Sequence, residues 1–353
     1  MNILIVGGGV AGLGAALFLA ADGYQVTVAE RQTGPIDKVC GEGIIPFGVG
    51  LLSELGLAEE VAAAGKPFGG VCYACGPYRA EGTFAPGVHG IGIGRSVLDA
   101  LLRRRAKSLG VQILGGTQIT PGEAKDFDRV LAADGINSQW AASVGHATIK
   151  NKRLGLRFRL AVAPPEKVSV HFLKGMEIYL TPVAADQLSV AFLLDPAPLK
   201  IKGAMLREYC QSIFRERFPE YAQLQPEEVA MRGPISATLK AGTPKLHLLG
   251  DAAVAFDPIS GAGMSFALLC AKLAAKHLHS PQDYWQALQV HRRAINAFTN
   301  TVLFFRGGGM LSHLMVRQLS KAPKSFDRIL ALHNGCSAIW DLGVFNAVAL
   351  LKP

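Results

Sequence analysis

The stretch Asn2-Ile3-Leu4-Ile5-Val6-Gly7-Gly8-Gly9-Val10-Ala11-Gly12 decides the fold. Asn2 to Val6 is a short apolar run, as in a strand buried on both faces. Gly7, Gly9 and Gly12 then fit G-x-G-x-x-G, and Ala11 to Ala21 continues as an enclosed helix. Gln25 to Glu30 returns to strand character, so the segment predicts a strand, helix, strand unit in a parallel sheet. Each glycine has a physical reason in that setting. Gly7 permits the tight turn, Gly9 lets the backbone approach a pyrophosphate, and Gly12 lets the helix pack close to the strand. Val10 and Ala11 open the helix, whose free N–H groups favour an anion. Glu30, followed by Arg31, ends the second strand. An acid there accepts hydrogen bonds from an adenosine ribose and repels a 2′-phosphate, which favours FAD or NAD over NADP in this site.

Outward from this unit the pattern changes twice. Ser96 to Leu109 reads as a helix stopped by Gly110, while Val111–Leu114, Asp128–Ala132 and Leu246–Leu249 read as core strands. Gly69 to Phe84 is strand-like, broken at Gly76 and Pro77. Four alternating segments, Leu154–Val162, Val168–Phe172, Glu177–Pro182 and Leu188–Leu193, predict an antiparallel sheet inserted into the first domain. Ala204 to Phe218 is an amphipathic helix, and the chain is helical from Ala262 onward, interrupted at Gly307-Gly308-Gly309 and Pro323.

Four further motifs stand out. They are Lys38-Val39-Cys40-Gly41-Glu42-Gly43, Gly94-Arg95-Ser96 with Leu98 and Leu101-Leu102, Ala133-Asp134-Gly135, and Leu249-Gly250-Asp251-Ala252-Ala253 followed by Pro258-Ile259-Ser260-Gly261-Ala262-Gly263-Met264. Together with the opening turn they resemble the FAD-dependent enzymes of the para-hydroxybenzoate hydroxylase fold: aromatic hydroxylases, flavin halogenases and geranylgeranyl reductases. The resemblance spans positions 3 to about 270.

It implies that Asp251 meets the ribityl chain of FAD, and that Pro258, Gly261, Ala262, Gly263 and Met264 set a helix start against the flavin ring. A reduced flavin carries negative charge there, which backbone N–H groups stabilise. Arg95 lies near the flavin, and Asp134 joins the cofactor site. Cys40 and Gly41 lie beside the ring. The resemblance makes Cys40 and Glu42 the catalytic candidates, Cys40 to tune the flavin and Glu42 to move a proton. His171, Tyr179 and Pro182, on the inserted sheet, are the expected substrate contacts.

The fold expected is α/β: a discontinuous Rossmann-like FAD domain (1–68, 95–150 and 245–290), a substrate domain on an antiparallel or mixed sheet (69–94 and 151–244), and C-terminal helices (291–353). Half of the 353 residues are hydrophobic, enough for such a core without staples. The six cysteines show no disulfide framework, which points to a reducing cytoplasm. Cys72-Tyr73-Ala74-Cys75 lacks the second pair that zinc needs, so no metal is expected. The formal charge of +9 suits an anionic cofactor, an acidic substrate or an anionic membrane surface. The basic residues are scattered, against nucleic acid, and Arg103-Arg104-Arg105 reads as a solvated helix face. The sequence has no apolar run long enough to span a membrane, and peripheral membrane contact stays open.

Three functions compete. One is an NAD(P)H- and O2-dependent monooxygenase of an aromatic or polyketide-like, hydrophobic small molecule. With a single dinucleotide turn, NAD(P)H docks transiently or a separate flavin reductase supplies electrons. The second is reduction of isoprenoid or other double bonds, motivated by Cys40-Gly41-Glu42-Gly43. The third is a non-catalytic binding protein on the same fold. Halogenation is disfavoured, because no W-x-W-x-I-P occurs.

Overall fold

The computed structural model describes residues 1–150, 153–195, 204–233, 237–240 and 246–334. The opening strand Asn2–Val6 is the middle of a five-stranded, all-parallel sheet. Its neighbours are Arg129–Ala132 and then His247–Leu248 on one side, and Gln25–Glu30 and then Gln112–Gly115 on the other. Ile3, Leu4 and Ile5 are fully buried, as a central strand covered on both faces requires. The helix Val10–Ala21 packs against Gly263–Lys276, where Gly14 faces Ala271 and Leu268. The strand His247–Leu248 and that second helix come from more than 240 positions beyond the opening strand, so the first layer is closed by distant sequence.

A seven-stranded sheet forms the second layer, in the order Glu227–Arg232, Leu154–Ala161, Gln187–Leu194, Met176–Ala184, Val168–Leu173, Gly70–Cys75, Tyr78–Thr83. Its neighbours run antiparallel except Val168–Leu173 and Gly70–Cys75, which are parallel. The strand-like stretch broken at Gly76 and Pro77 is thus a hairpin, and it joins the alternating segments in one mixed sheet. Helix Ala204–Arg217 covers one face through Leu206, Cys210 and Phe214, which pack on Phe158, Ile178 and Phe192. Three short strands, Gly43–Ile44, Gly90–Gly92 and Lys66–Phe68, form a small antiparallel sheet.

Three helices follow: Pro281–Phe305, Met310–Lys321 and Pro323–His333. The expected domain boundary at 290/291 falls inside the first of them. The start of that helix is fixed by a cap, where the Ser280 hydroxyl accepts the Asp283 N–H at 3.1 Å. The helical segment therefore begins at Pro281, and its expected end, 335–353, lies outside the described residues. The same holds for 151–152, 196–203, 234–236 and 241–244 of the expected substrate domain. The Arg103-Arg104-Arg105 run is solvated only in part. Arg103 pairs with buried Asp99 at 2.5 Å, Arg105 donates to the Leu55 carbonyl at 3.3 Å, and Arg104 alone is exposed. Among the described residues no helix is long and apolar enough to cross a membrane.

Candidate active site

A cavity of about 420 Å³ is walled by residues of both sheets and of the C-terminal helices. Gly7, Gly9, Val10 and Ala11 line it from the start of the sequence, and Asp251, Pro258, Gly261, Gly263 and Met264 from some 240 positions further on. Glu30, Arg31, Cys40, Gly41, Glu42, Arg95 and Asp134 share the same wall. Gly12 and Ala262 stand behind it. A Cβ on Gly12 would sit 1.9 Å from the Gly7 carbonyl oxygen, so helix and strand touch there. Ala262 is buried as the residue preceding helix Gly263–Lys276.

The opening turn is built by backbone geometry. Gly7 has φ +102°, and a Cβ on it would lie 2.3 Å from the Ala133 carbonyl oxygen. Gly9 differs: the nearest atom to a Cβ there is the Arg95 guanidinium at 3.7 Å, so the protein's own packing leaves it room. The helix start carries no side-chain cap. Arg95 is buried in the same wall, and its Nε has no hydrogen-bond partner. Glu30 is held by two backbone N–H groups, Gly8 at 2.7 Å and Gln32 at 2.8 Å, and faces the cavity. An open cradle at Gly9, uncapped amides, an orphaned guanidinium N–H and a fixed carboxylate fit the pyrophosphate and ribose of FAD.

The loop from Asp37 to Gly43 is pinned by ions. The carboxylate of Glu42 is fully buried and accepts from Arg157 at 2.7 Å, Arg159 Nε at 3.2 Å and the Arg95 backbone N–H at 2.9 Å. Arg157 also holds Asp37 with two bonds at 2.7 and 3.1 Å. Burial pushes the Glu42 carboxyl up, but Arg159 and Arg157 outweigh it and hold it below the usual carboxylate range. The expected proton transfer through Glu42 does not fit this geometry, because both oxygens are committed to cations. Burial, reinforced by Glu42, pushes the Cys40 thiol up, so it stays neutral in the wall and is no ready nucleophile.

Asp251 forms an ion pair with Lys38, also in the wall. Burial pushes its carboxyl up, but Lys38, Arg95 and Arg232 hold it below the usual range. Asp134 accepts the Gln139 N–H at 3.0 Å, and its other oxygen is buried without a partner. Deeper, Arg153 joins Asp257 at 2.8 Å, Asp195 at 3.0 Å and Glu177. Arg306 reaches Asp195 at 2.6 Å, which ties the end of the long helix to the seven-stranded sheet.

Beyond the turn the cavity becomes apolar, walled by Phe68, Val71, Tyr73, Val168, Val170, Tyr179, Phe298 and Leu330. Of the three expected substrate contacts only Tyr179 lines it, with its hydroxyl donating to the Ile259 carbonyl at 3.4 Å. His171 and Pro182 are corrected by strand parity. Val168 and Val170 face the cavity, so His171 points to the other face, edge-on to Phe218 at 4.7 Å. Tyr179 and Thr181 face the cavity, so Pro182 turns away, its carbonyl against Gly92.

Arg153, Arg157, Arg159 and His333 escape the sequence reading, and Lys38 enters it only as part of its motif, without a role. The alternation in Leu154-Gly155-Leu156-Arg157-Phe158-Arg159-Leu160 was the available signal, since two like charges on one strand face need buried partners or water. His333 ends its helix in the cavity wall, where Nε2 donates to the Ser260 carbonyl at 2.8 Å and the ring stacks on Phe298 at 3.8 Å. Burial pushes its imidazole down to about 4.

Residues 1–160 match the FAD binding domain family. That match and the solved structures of like fold give the chain an FAD-binding domain within the para-hydroxybenzoate hydroxylase fold. It is 23% identical over 330 residues to a menaquinone reductase of Mycolicibacterium smegmatis, covering 79% of this chain and 76% of that one. It is 26% identical to the squalene monooxygenase of Mus musculus, over 80% of this chain and 56% of that one. In structure it resembles a flavoprotein/dehydrogenase of Cytophaga hutchinsonii, with a TM-score of 0.78 at 19% identity, covering 97% of this chain and 94% of that one. At that identity the structural likeness is one of fold alone.

Proposed function

We propose that the chain is a monooxygenase that uses NAD(P)H and O2 to hydroxylate a hydrophobic, aromatic or polyketide-like small molecule. The observation that carries this reading is one continuous cavity, polar at the glycine turn and apolar at the Tyr179 end. Gly7, Gly9, the Val10 and Ala11 amides, Glu30 and Arg95 hold the nucleotide half of FAD, and Asp251 and the Pro258–Met264 turn its flavin half. When bound, FAD supplies the redox and oxygen-activating chemistry. The protein's part is orientation and a dry chamber: Val168, Val170 and Phe298 exclude water from the reacting end. The balance is substrate, O2, NAD(P)H and a proton giving hydroxylated substrate, water and NAD(P)+. With Glu42 locked as an anion and Cys40 neutral, neither group in that loop is assigned a proton-transfer step.

The test begins with the purified protein, which should be yellow with flavin absorbance; a colourless chain that takes up no FAD would mean a binding protein instead. Substrate-stimulated NAD(P)H oxidation with matching O2 uptake is then expected. If the chain alone does not oxidise NAD(P)H but does turn over once a flavin reductase is added, a partner delivers the electrons. The likeness to a menaquinone reductase and Cys40-Gly41-Glu42-Gly43 favour a second reading, reduction of an isoprenoid double bond. Anaerobic saturation of a polyprenyl quinone by dithionite-reduced protein would establish that one, and turnover indifferent to oxygen would sink the first.

A further inference from the structure

Four large apolar side chains stand exposed around the Gly307-Gly308-Gly309 turn: Phe304 at 66%, Met310 at 82%, Leu311 at 42% and Leu314 at 46%. Phe304 lies at the end of helix Pro281–Phe305, and the other three open helix Met310–Lys321. The inner face of that short helix is already used, since Ser312 and Val316 are buried against the fold. Its outer face continues from Met310 and Leu314 to Arg317 and Lys321 at helical spacing, so one stripe passes from apolar to cationic. Lys324 and Arg328 extend the charge on the next helix and are exposed. Along residues 304–334 the one carboxylate is Asp327, and it accepts the Thr83 N–H at 2.7 Å. Among the described residues no ion pair engages Arg317, Lys321, Lys324 or Arg328.

We propose that this surface docks the protein on an anionic lipid bilayer, with Phe304, Met310, Leu311 and Leu314 entering the headgroup boundary and Arg317, Lys321, Lys324 and Arg328 meeting lipid phosphates. An apolar patch rimmed by cations matches the chemistry of that boundary. Charge decides against a second copy of the chain. A two-fold contact joins this surface to its own copy, which brings more cations and no free carboxylate to pair with Arg317, Lys321, Lys324 and Arg328. The same group of helices walls the apolar chamber through Phe298, Leu330 and His333. This inference concerns location and stands or falls apart from the reaction catalysed.

The experiment is flotation of the full-length, FAD-loaded protein with vesicles of phosphatidylcholine, or of phosphatidylcholine and phosphatidylglycerol in equal parts. Expected is flotation with the anionic vesicles, falling as salt rises. Met310→Ser with Leu314→Ser, and separately Arg317→Glu with Lys321→Glu, should each weaken binding roughly tenfold or more. Flavin absorbance and far-UV circular dichroism should not change in either variant. Wild-type protein that fails to float overturns the proposal, as do variants that float like wild type. A concentration-dependent dimer dissolved by the same substitutions would also overturn it, by making the patch an interface between copies.

Discussion

Glu42 is a non-glycine residue in the left-handed region, at φ 57°, with its side chain fully buried. Such a conformation persists where surrounding contacts over-determine it, and here two arginines and a backbone N–H do so. Glu42→Gln keeps the shape but leaves two guanidiniums without their shared anion. The expected loss is about 3 kcal/mol or more of unfolding free energy, read by urea titration. A variant as stable as wild type would show that the ion cluster does not pin the loop. Linkage gives a second readout. A carboxyl held below its ordinary value of 4.5 contributes stability that is present above that pH and lost as pH falls through its folded value. The acid-side fall in stability should therefore be shallower in Glu42→Gln. Gly9 and Gly12 offer a matched pair. Gly9→Ala meets nothing closer than 3.7 Å in the protein, so stability should change by no more than about 1 kcal/mol, while FAD affinity drops at least tenfold. Gly12→Ala drives a Cβ into the Gly7 carbonyl oxygen and should destabilise the apoprotein itself. Thermal melts of the apoproteins and fluorescence titration with FAD separate the two, and equal behaviour would refute this division of roles.

At the scale of elements, period-two parity explains what could be read and what could not. The strand at 168–173 was legible from alternation, but its inward face was not, because Val168 and Val170 against His171 looks the same whichever side is covered. The structure covers both: helix Ala204–Arg217 and Phe218 on the His171 side, the cavity on the other. Cys72 and Cys75, three apart on one strand, point to opposite faces, which removes them as a pair. The turn between the C-terminal helices was legible as glycines and carries its own prediction. Gly308 has φ +66°, and a Cβ there would lie 2.4 Å from the Leu173 carbonyl carbon. Backbone cannot swing aside as a side-chain tip can, so Gly308→Ala must displace helix Met310–Lys321 from the sheet edge. Limited proteolysis should then cut between residues 306 and 322 well before wild type is cut there, with FAD still bound at the other end of the cavity. Unchanged protection would mean that the turn relaxes without moving the helix.

For the whole molecule, the convergence of the glycine turn with Asp251–Met264 was readable because each segment is a local motif. The ion clusters that lock the layers were not, because their partners are distant in sequence. Arg157 and Arg159 meet Glu42 across more than a hundred positions, and Arg153 gathers Glu177, Asp195 and Asp257 from three separate segments. Nothing local announces such pairings. The same enclosure keeps histidines neutral, and this sets the acid response of the whole fold. His171 and His333 are both pushed down to about 4 by burial, against an ordinary value of 6.5. The unfolded chain then binds more protons than the folded one between those limits, so their contribution is complete above 6.5 and is lost as pH falls toward 4. Asp99, Asp134 and Glu177, whose carboxyls burial pushes up, act in the opposite sense over the lower part of this window. The wild-type curve alone therefore mixes signs, and the informative quantity is a difference. His171→Gln with His333→Gln should be less stable than wild type at neutral pH, because the Ser260 and Phe218 contacts are weakened. The gap should narrow steadily on acidification to about pH 5, since the double variant no longer has these two protons to take up on unfolding. Urea unfolding at matched pH values measures it. A gap that stays constant from neutral to acid would show that these two imidazoles are protonated in the folded state as easily as in the unfolded one, and that the enclosure inferred for both sides of the sheet is wrong.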